Sequence, residues 1–178
     1  MEPTPYLRKK WQWLLRSEAI KKVGHHYMLK ASNQRKVVRQ HIVADLGCGN
    51  GRNSSFMWAK GFQHVYPIDM CGDHALQLKL GADTLPFRDG VVDIVLCNYM
   101  LMFLSRTERY QLIQEIGRVL KPGGTVMVEL YPAKDAYKYS QDYLLNYKPY
   151  GWTDWDKVHN VKDRFILRKP VPVEEVKC

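Results

Sequence analysis

Apolar residues recur along this chain in short continuous runs separated by polar and glycine-rich segments. The runs Ile42–Leu46, Val65–Ile68, Val91–Cys97 and Thr125–Leu130 have the length and β-branched content of buried strands, and Phe165–Leu167 is a shorter run of the same kind. Apolar runs of this length, bounded by turn residues, are typical of the central strands of a parallel sheet. The pattern therefore predicts a sheet that is covered on both faces.

Helices are predicted between these strands. Ser54–Lys60 has helical spacing and is followed by Gly61, and Ser105–Glu108 forms a capping box ahead of a helix that ends at Pro122–Gly124. A further helix is predicted over Asp135–Tyr147. Strands that alternate with helices in this way indicate an α/β domain with a mostly parallel sheet.

The beginning of the chain has a different pattern. Apolar residues at i, i+4, i+7 and i+8 from Leu7 to Leu15 predict an amphipathic helix from Tyr6 to about Lys22. A second, weaker helix is predicted over His25–Gln34. We therefore expect a helical N-terminal extension, residues 1–36, followed by the α/β domain, residues 37–178.

The connection after the second strand is unusually short. Met70–Ala75 is all that separates that strand from the alternating Leu76, Leu78 and Leu80. A parallel crossover usually needs a dozen residues or more. We expect its helix to be missing or reduced to one turn, and the third strand to lie at the sheet edge with little pairing.

Charge is concentrated at the N-terminal end. The net charge is +9, and residues 1–40 contain ten Lys and Arg residues against Glu2 and Glu18. Residues 8–39 are therefore a candidate docking arm for nucleic acid, because clustered cations bind phosphates by releasing counterions. A solvated basic surface is the alternative.

Composition excludes several classes of protein. An apolar content of 46% is too high for a disordered chain, and no apolar run reaches the roughly 20 residues that span a bilayer. The N-terminal residues lack the pattern of a signal peptide. The four cysteines form no CxxC pair, which favours reduced thiols in the cytoplasm over a disulfide framework or a metal site.

A glycine turn directly after the first buried strand is the main candidate for chemistry. Gly47, Gly49 and Gly51 allow the backbone to turn sharply and to approach a ligand closely. The spacing G-x-G-x-G differs from the G-x-G-x-x-G of dinucleotide sites. Asp45, two residues before the first glycine, suits a cationic ligand better than a pyrophosphate. An ordinary glycine turn is the alternative.

Two further acidic residues follow successive strands. Asp69 ends the second strand, where a carboxylate can accept both hydroxyls of a ribose. Asp83 follows the alternating leucines and could accept a hydrogen bond from an exocyclic amine. Each residue alone could be a surface or turn aspartate, but with Asp45 they indicate a nucleoside site at one edge of the sheet.

These motifs together resemble those of class I S-adenosylmethionine-dependent methyltransferases. The resemblance rests on Asp45–Gly51, Asp69, Gly81–Gly90, Asp93–Asn98 and Val119–Gly124. It implies a Rossmann-like sheet of about six to seven strands, S-adenosyl-L-methionine as cofactor, S-adenosyl-L-homocysteine as product, and no metal. The residues expected to bind the cofactor are Asp45, Gly47, Cys48, Gly49, Asn53, Asp69, Met70, Asp83, Thr84 and Asn98.

Within that class, Gly49–Ser54 and Leu101–Leu104 are similar to the tellurite-resistance and thiol methyltransferases. This narrower resemblance implies a catalytic His159, assisted by Lys162 or Arg164, although Asn160 stands where that family has arginine. Tyr99, at the tip of the fourth strand, could face the sulfonium through its aromatic ring. A tyrosine packed in the core is the alternative for that residue.

The sequence leaves several candidates for the methyl acceptor. A small soft nucleophile or metabolite is the first hypothesis, with the aromatic stretch Tyr137–Trp155 as its cage. RNA docked by residues 8–39 is the alternative, and RNA is preferred to DNA because Asn98–Leu101 lacks the prolines of DNA amino-methyltransferases. A protein that binds S-adenosylmethionine without catalysis is the third. We expect a monomer or homodimer without membrane contact.

Overall fold

The computed structural model describes residues 2–15, 20–23, 26–29, 39–130, 155–161 and 164–172. Nine strands lie in these ranges: β1 (Ile20–Val23), β2 (His26–Leu29), β3 (Ile42–Leu46), β4 (His64–Asp69), β5 (Leu76–Gln77), β6 (Val92–Asn98), β7 (Leu120–Glu129), β8 (Asp156–Val161) and β9 (Arg164–Arg168). The described helices are α1 (Pro5–Lys10), α2 (Arg52–Ala59) and α3 (Arg106–Val119), with 3-10 helices at Trp11–Leu14 and Leu101–Phe103.

Seven of the strands form one sheet in the order β5-β4-β3-β6-β7-β9-β8. The first five strands in this order pair in parallel, and β9 pairs antiparallel with both β7 and β8. Every residue of the central strand β6 is buried. The predicted Rossmann-like, mostly parallel sheet of six to seven strands is therefore confirmed.

Both faces of the sheet are covered by helices, also as predicted. Successive strand residues point to opposite faces, so Ala44 packs in the cluster that contains Ile113 of α3, whereas Val43 packs in the cluster that contains Met57 of α2. Leu7 of α1 belongs to the second cluster. The N-terminal helix is thus part of the domain core.

The prediction of a helix from Tyr6 to Lys22 is wrong beyond its first turns. Helix α1 ends at Lys10, a 3-10 helix follows, and residues 20–23 pair as β1 with β2 in a separate antiparallel hairpin. The helix predicted from His25 is equally wrong over 26–29, and 30–34 lie outside the described residues. Tertiary contacts override the helical pattern, because the Leu14 carbonyl accepts a hydrogen bond from Thr125 Oγ1 at 2.7 Å.

The short connection between β4 and β5 contains no helix, as its length predicts. Residues 70–75 form turns without a helix, and β5 is a two-residue strand at the edge of the sheet. The capping box of α3 is also confirmed, because Ser105 Oγ accepts from Glu108 N and Ser105 N donates to Glu108 Oε2. The helix predicted over Asp135–Tyr147 lies outside the described residues.

No helix in the described part of the chain is long and apolar enough to cross a membrane.

Candidate functional site

The glycine turn connects the end of β3 to the start of α2. Gly47, Gly49 and Gly51 have φ of +67°, +55° and +74°, a region that L side chains rarely adopt. A Cβ on Gly49 would contact nothing within 4 Å, so the turn has an open side at that residue. The turn therefore offers bare backbone at the carboxyl edge of the sheet, where ligands of open α/β sheets bind.

A cavity of about 530 Å³ lies against this turn. Its volume is in the range of small-molecule sites in proteins. The wall is formed by the turn, the end of β4, the segment after β5 and the tip of β6, with the residues Gly47, Gly49, Asp69, Met70, Leu80 and Tyr99 among them. Met70 and Phe103 are 63% and 73% exposed at this cavity, which makes its mouth apolar.

Asp69 connects the second strand to the glycine turn. Its Oδ2 accepts a hydrogen bond from Gly49 N at 2.8 Å, and its Oδ1 accepts one from Cys71 N at 3.2 Å. Each carboxylate oxygen has a second lone pair available. The side chain is therefore oriented by backbone donors and can still accept hydrogen bonds from a ligand in the cavity.

Asp45 is buried behind the turn, and the cavity wall does not include it. Its Oδ2 accepts from Ser54 Oγ at 2.6 Å. Burial raises the pKa of Asp45 to about 6, and the hydrogen bond from Ser54 opposes that rise. A cation in the cavity would favour the charged form of this carboxyl through space.

Asp83 and Thr84 lie on the exposed turn that follows the edge strand. Asp83 Oδ2 accepts from Lys79 N at 2.7 Å, so the side chain stabilises this turn. Leu80, which is bridged to Asp83, lines the cavity, whereas Asp83 and Thr84 do not. Their assignment to the cofactor stays a prediction.

His74 covers the glycine turn, a contact that the sequence analysis missed. Its Nε2 lies 2.7 Å from the Gly49 carbonyl oxygen and 4.0 Å from Cys48 Sγ. Burial raises the pKa of Cys48 to about 12, so this thiol is neutral at physiological pH. No sequence signal distinguished His74, because its partners lie more than twenty positions away.

Tyr99 has φ of +58°, the only positive φ among the described residues other than glycines. A bulky side chain in this region is strained, and such strain is concentrated at functional sites. The Tyr99 N–H donates to the Glu129 carbonyl at 2.8 Å, and the residue lines the cavity. Tyr99 therefore lies where β6 meets the cavity, and its contact with the sulfonium stays a prediction.

A buried polar cluster lies beside Tyr99, at the ends of β6 and β7. We call it the Glu129 cluster; its members are Thr4, Asn53, Asn98 and Glu129. Glu129 Oε1 accepts from Thr4 Oγ1 at 2.5 Å and from Asn98 Nδ2 at 2.8 Å, while Thr4 N donates to Asn53 Oδ1 at 3.0 Å. Neither asparagine lines the cavity, so their predicted role in cofactor binding stays untested.

Arg164 and Tyr6 flank this cluster. Arg164 on β9 is the register partner of Glu129 on β7. Burial raises the pKa of Tyr6, the Glu129 carboxylate adds to the rise, and Arg164 opposes it. Arg164 was predicted from the sequence, whereas Thr4 and Glu129 were not, because they carry no motif and are 125 positions apart.

His159 lies in β8, at the far edge of the sheet, paired with Ile166. The register places it in one row with Met127, Leu96 and Asp45. Four strand spacings of about 4.8 Å put its backbone roughly 19 Å from that of Asp45. Its catalytic role stays a prediction, and Lys162 lies outside the described residues.

Among the described residues, no group of three or more His, Cys, Asp and Glu side chains is placed to hold a metal ion.

The central part of the chain is similar to known proteins. Residues 44–128 match the family model described as "Methyltransferase domain". The tRNA (carboxymethyluridine(34)-5-O)-methyltransferase ALKBH8 of Mus musculus is 27% identical over 125 residues, which is 67% of this chain and 19% of that protein. The corresponding enzyme of Arabidopsis thaliana is 31% identical over 100 residues, 52% of this chain and 24% of that protein. The chain thus spans about a fifth to a quarter of these relatives.

Solved structures share the fold. An S-adenosylmethionine-dependent methyltransferase from Methanococcus maripaludis superposes with a TM-score of 0.58 at 14% identity, over 76% of this chain and 80% of that chain. The N-methyltransferase NodS from Bradyrhizobium japonicum, solved with S-adenosyl-L-homocysteine, gives 0.57 at 12% identity, over 74% and 79%. Residues 44–128 therefore match a methyltransferase domain, and the described fold is the one that these S-adenosylmethionine-dependent methyltransferases share. The tellurite and thiol subtype receives no support from these comparisons.

Proposed function

We propose that this protein, whose central part matches a methyltransferase domain, transfers the methyl group of S-adenosylmethionine to an acceptor in RNA. The cofactor assignment is supported by the fit between the cavity and a nucleoside. The bare backbone of the glycine turn suits the main-chain atoms of the cofactor's methionine part. The oriented carboxylate of Asp69 suits the ribose, and the apolar wall at Leu80 suits the base.

The observation that carries the RNA assignment is the position of α1. Thr4 of the Glu129 cluster is the N-cap of this helix, and the exposed Arg8 and Lys9 follow one turn later. At 1.5 Å per residue, Arg8 lies roughly 6 Å further along the helix than Thr4. The basic residues therefore begin beside the tip of β6, where an acceptor must approach Tyr99.

The relatives support the same assignment. The named activity of the mouse and Arabidopsis proteins is methylation of a tRNA nucleoside. An exposed apolar mouth at Met70 and Phe103 is also suited to stacking an unpaired base. Together with the basic helix, these features favour RNA over the small soft nucleophile that was our first hypothesis from sequence.

Methyl transfer from a sulfonium requires little acid–base catalysis by the residues of the cavity. The bound cofactor supplies a methyl group on a sulfonium, whose leaving group is neutral. Tyr99 and Met100 form the wall at the tip of β6 and can exclude water from the reacting atoms. The chain must mainly hold the acceptor in line with the breaking bond, about 3–3.5 Å from the methyl carbon.

A binding and transfer assay with total tRNA tests the proposal. The double substitution Arg8→Ala with Lys9→Ala should weaken tRNA binding and reduce the slope of log affinity against log salt by about 1.4, since each single-strand phosphate contact contributes about 0.7. Arg88→Ala with Lys157→Ala, the same charge change at exposed positions away from α1, is the control. Equal slopes for both double variants, or no methyl transfer to tRNA from labelled S-adenosylmethionine, would reject RNA as the acceptor.

A small soft nucleophile is the second candidate. It is favoured by the absence of any histidine or cysteine among the described residues that line the cavity, because a thiolate needs no general base. Transfer to a small thiol that is unaffected by the Arg8 and Lys9 substitutions would support it.

A further inference from the structure

Helix α2 carries a second set of cations beside those of α1. Arg52, Phe56 and Lys60 follow one another at i, i+4 and i+8, a spacing that places their side chains on one side of the helix. We call these three residues the basic stripe. At 1.5 Å per residue it is roughly 12 Å long. Arg52 and Phe56 are half-buried and Lys60 is exposed, so the stripe can be reached from the solvent.

Helix α1 and the 3-10 turn after it run beside the basic stripe. Thr4 N donates to Asn53 Oδ1 at 3.0 Å, where both helices begin. At the other end, Lys60 Nζ lies 5.5 Å from the centre of the Trp11 ring, and Trp11 directly follows Lys10, the last residue of α1. The two helices therefore run side by side in the same direction, and their cations belong to one surface.

Aromatic rings hold the lysine ammonium groups of this surface in place. Lys60 Nζ also lies 5.0 Å from the centre of the Phe56 ring, and Lys10 Nζ lies 4.1 Å from the centre of the Trp13 ring. Cation–π contacts occur roughly once per 70–80 residues, so these contacts are concentrated here. An ammonium group has three N–H donors, and a ring on one side leaves donors for a ligand on the other.

The positive charge of this surface is not balanced by acidic residues of the same segments. Residues 2–15 and 52–64 contain five Lys and Arg residues and one acidic residue, namely Arg8, Lys9, Lys10, Arg52, Lys60 and Glu2. Glu2 pairs with Arg8 at 2.9 Å, and both side chains are exposed, so this pair contributes little. Neither Arg52 nor Lys60 forms a salt bridge with a carboxylate in the described part of the chain.

The basic stripe begins at the cavity. Arg52 directly follows Gly51, which is the N-cap of α2 and the last glycine of the turn, and Gly49 lines the cavity. The stripe thus starts at the carboxyl edge of the sheet and leads away from the cavity along α2. A polyanion with one unit in the cavity would meet Arg52 first and Lys60 further along.

We propose that the sugar–phosphate backbone of the RNA that carries the methyl acceptor lies along the basic stripe, with Arg52 and Lys60 each contacting a phosphate. This inference rests on the proposed function, because it describes how the RNA substrate of the same transfer is held. Cations interleaved with aromatic rings are typical of surfaces that follow a single-stranded backbone. Phosphate contacts fix the register and orientation of a nucleic acid and do not read its sequence. The stripe therefore positions the RNA at the cavity.

The experiment measures binding of total tRNA to the full chain, saturated with S-adenosylhomocysteine, between 50 and 200 mM salt. Arg52→Ala with Lys60→Ala is the test variant. Arg88→Ala with Lys157→Ala removes the same two residue types at exposed positions outside α1 and α2 and is the matched control. Arg52→Lys with Lys60→Arg keeps both charges and is the rescue variant. Calorimetry with S-adenosylhomocysteine shows for each variant that the cofactor site is intact.

We expect the test variant to lose two phosphate contacts. The slope of log affinity against log salt should then decrease by about 1.4, since each single-strand contact contributes about 0.7. Its deficit in affinity relative to wild type should therefore shrink about sevenfold between 50 and 200 mM salt. The rescue variant should keep the wild-type slope, and the KM for tRNA should rise in the test variant while kcat stays within threefold.

A slope of the test variant equal to that of the control overturns the inference, and so does a rescue variant that loses as much as the test variant. Lys60→Ala alone changes an exposed residue and should decrease the slope by about 0.7. This single variant decides the question if the double variant does not fold, because an unchanged slope refutes the contact with Lys60.

Failure of the proposed function gives a different result. If labelled S-adenosylmethionine transfers no methyl group to tRNA, RNA is rejected as the acceptor, whereas a slope that depends on Arg52 and Lys60 still supports the stripe as an RNA-binding surface. If tRNA is methylated and the slope of the test variant equals that of the control, the proposed function stands and the stripe is refuted. No transfer together with an unchanged slope refutes both.

Discussion

Replacing Asp69 by asparagine tests the proposed cofactor site at the carboxylate that we expect to bind the ribose. The carboxylate accepts from two backbone N–H groups, of Gly49 and Cys71, and has free lone pairs toward the cavity. Asparagine has nearly the same shape but only one accepting oxygen. Its amide N–H₂ must therefore face either a backbone donor or a ribose hydroxyl.

The expected magnitude follows from the kind of hydrogen bond that is lost. A hydrogen bond to a charged group contributes about 1.5–3 kcal/mol, and each 1.4 kcal/mol corresponds to a tenfold change in affinity. Affinity should fall roughly 10-fold to 150-fold. The free energy of unfolding should change by less than about 1 kcal/mol, because both backbone bonds of Asp69 are at the surface and water can replace them.

Isothermal titration with both S-adenosylmethionine and S-adenosylhomocysteine separates the two effects of the substitution. The hydrogen bonds to the ribose are common to both ligands, whereas attraction to the sulfonium exists only in the first. Asp73→Asn, the same charge change at an exposed position in the following turn, is the control. We expect equal losses for both ligands in Asp69→Asn and none in Asp73→Asn. Affinities within threefold of wild type for both ligands would refute the ribose assignment.

Three further predictions concern the surroundings of this site. Burial raises the pKa of Asp45 from 3.8 to about 6, so between these pH values the folded protein retains a proton that the unfolded chain has lost. Stability should therefore fall by roughly 2 kcal/mol as pH rises from about 4 to 6, and urea titrations of Asp45→Asn should lack this slope. Thr4→Val removes the hydrogen bond from the Thr4 hydroxyl to Glu129 and the N-cap of α1, and should lower the free energy of unfolding by about 1–3 kcal/mol. The control is the same substitution at the exposed Thr107, which should change the free energy of unfolding by less than about 0.5 kcal/mol. Equal effects at both positions would contradict the burial argument. Gly49→Ala should lower the free energy of unfolding by about 1–2 kcal/mol, because residue 49 has a φ of +55°. The added methyl group would occupy the open space at the cavity, so calorimetry should show at least tenfold weaker cofactor binding. Unchanged affinity would mean that the open side of Gly49 does not face the ligand.

Elements whose signals are local were predicted correctly. The capping box at Ser105, the buried run of β6 and the six-residue connection between β4 and β5 depend on residues a few positions apart. The glycine turn is of the same kind, since positive φ at Gly47 follows from what glycine tolerates. Asp69 at the strand end was also anticipated, because strand ends follow from the lengths of the apolar runs.

Errors occurred where distant contacts compete with local preference. The helical spacing of residues 7–15 predicts a continuous helix, but α1 ends at Lys10 because the segment after it packs against the sheet and bonds through the Leu14 carbonyl. Asp45 is buried and accepts a hydrogen bond from Ser54, a partner that the sequence did not indicate, and its contact with the cofactor stays a prediction. Periodicity shows that a residue is apolar or polar, and it does not show which distant partner the residue will meet.

By itself, then, the sequence determined the α/β class of the domain, its parallel sheet and the glycine turn at the cavity, since these arise from short-range patterns of glycine, charge and hydrophobicity. Tertiary structure alone decided which polar groups are buried together at the ends of β6 and β7. Thr4, Asn98 and Glu129 are separated by 31 to 125 positions and meet only because α1 packs across the ends of β6 and β7. Burial at that junction leaves Glu129 Oε2 and Asn98 Oδ1 without a partner among the described residues, and a property of this kind depends on the folded arrangement and on no single stretch of the chain.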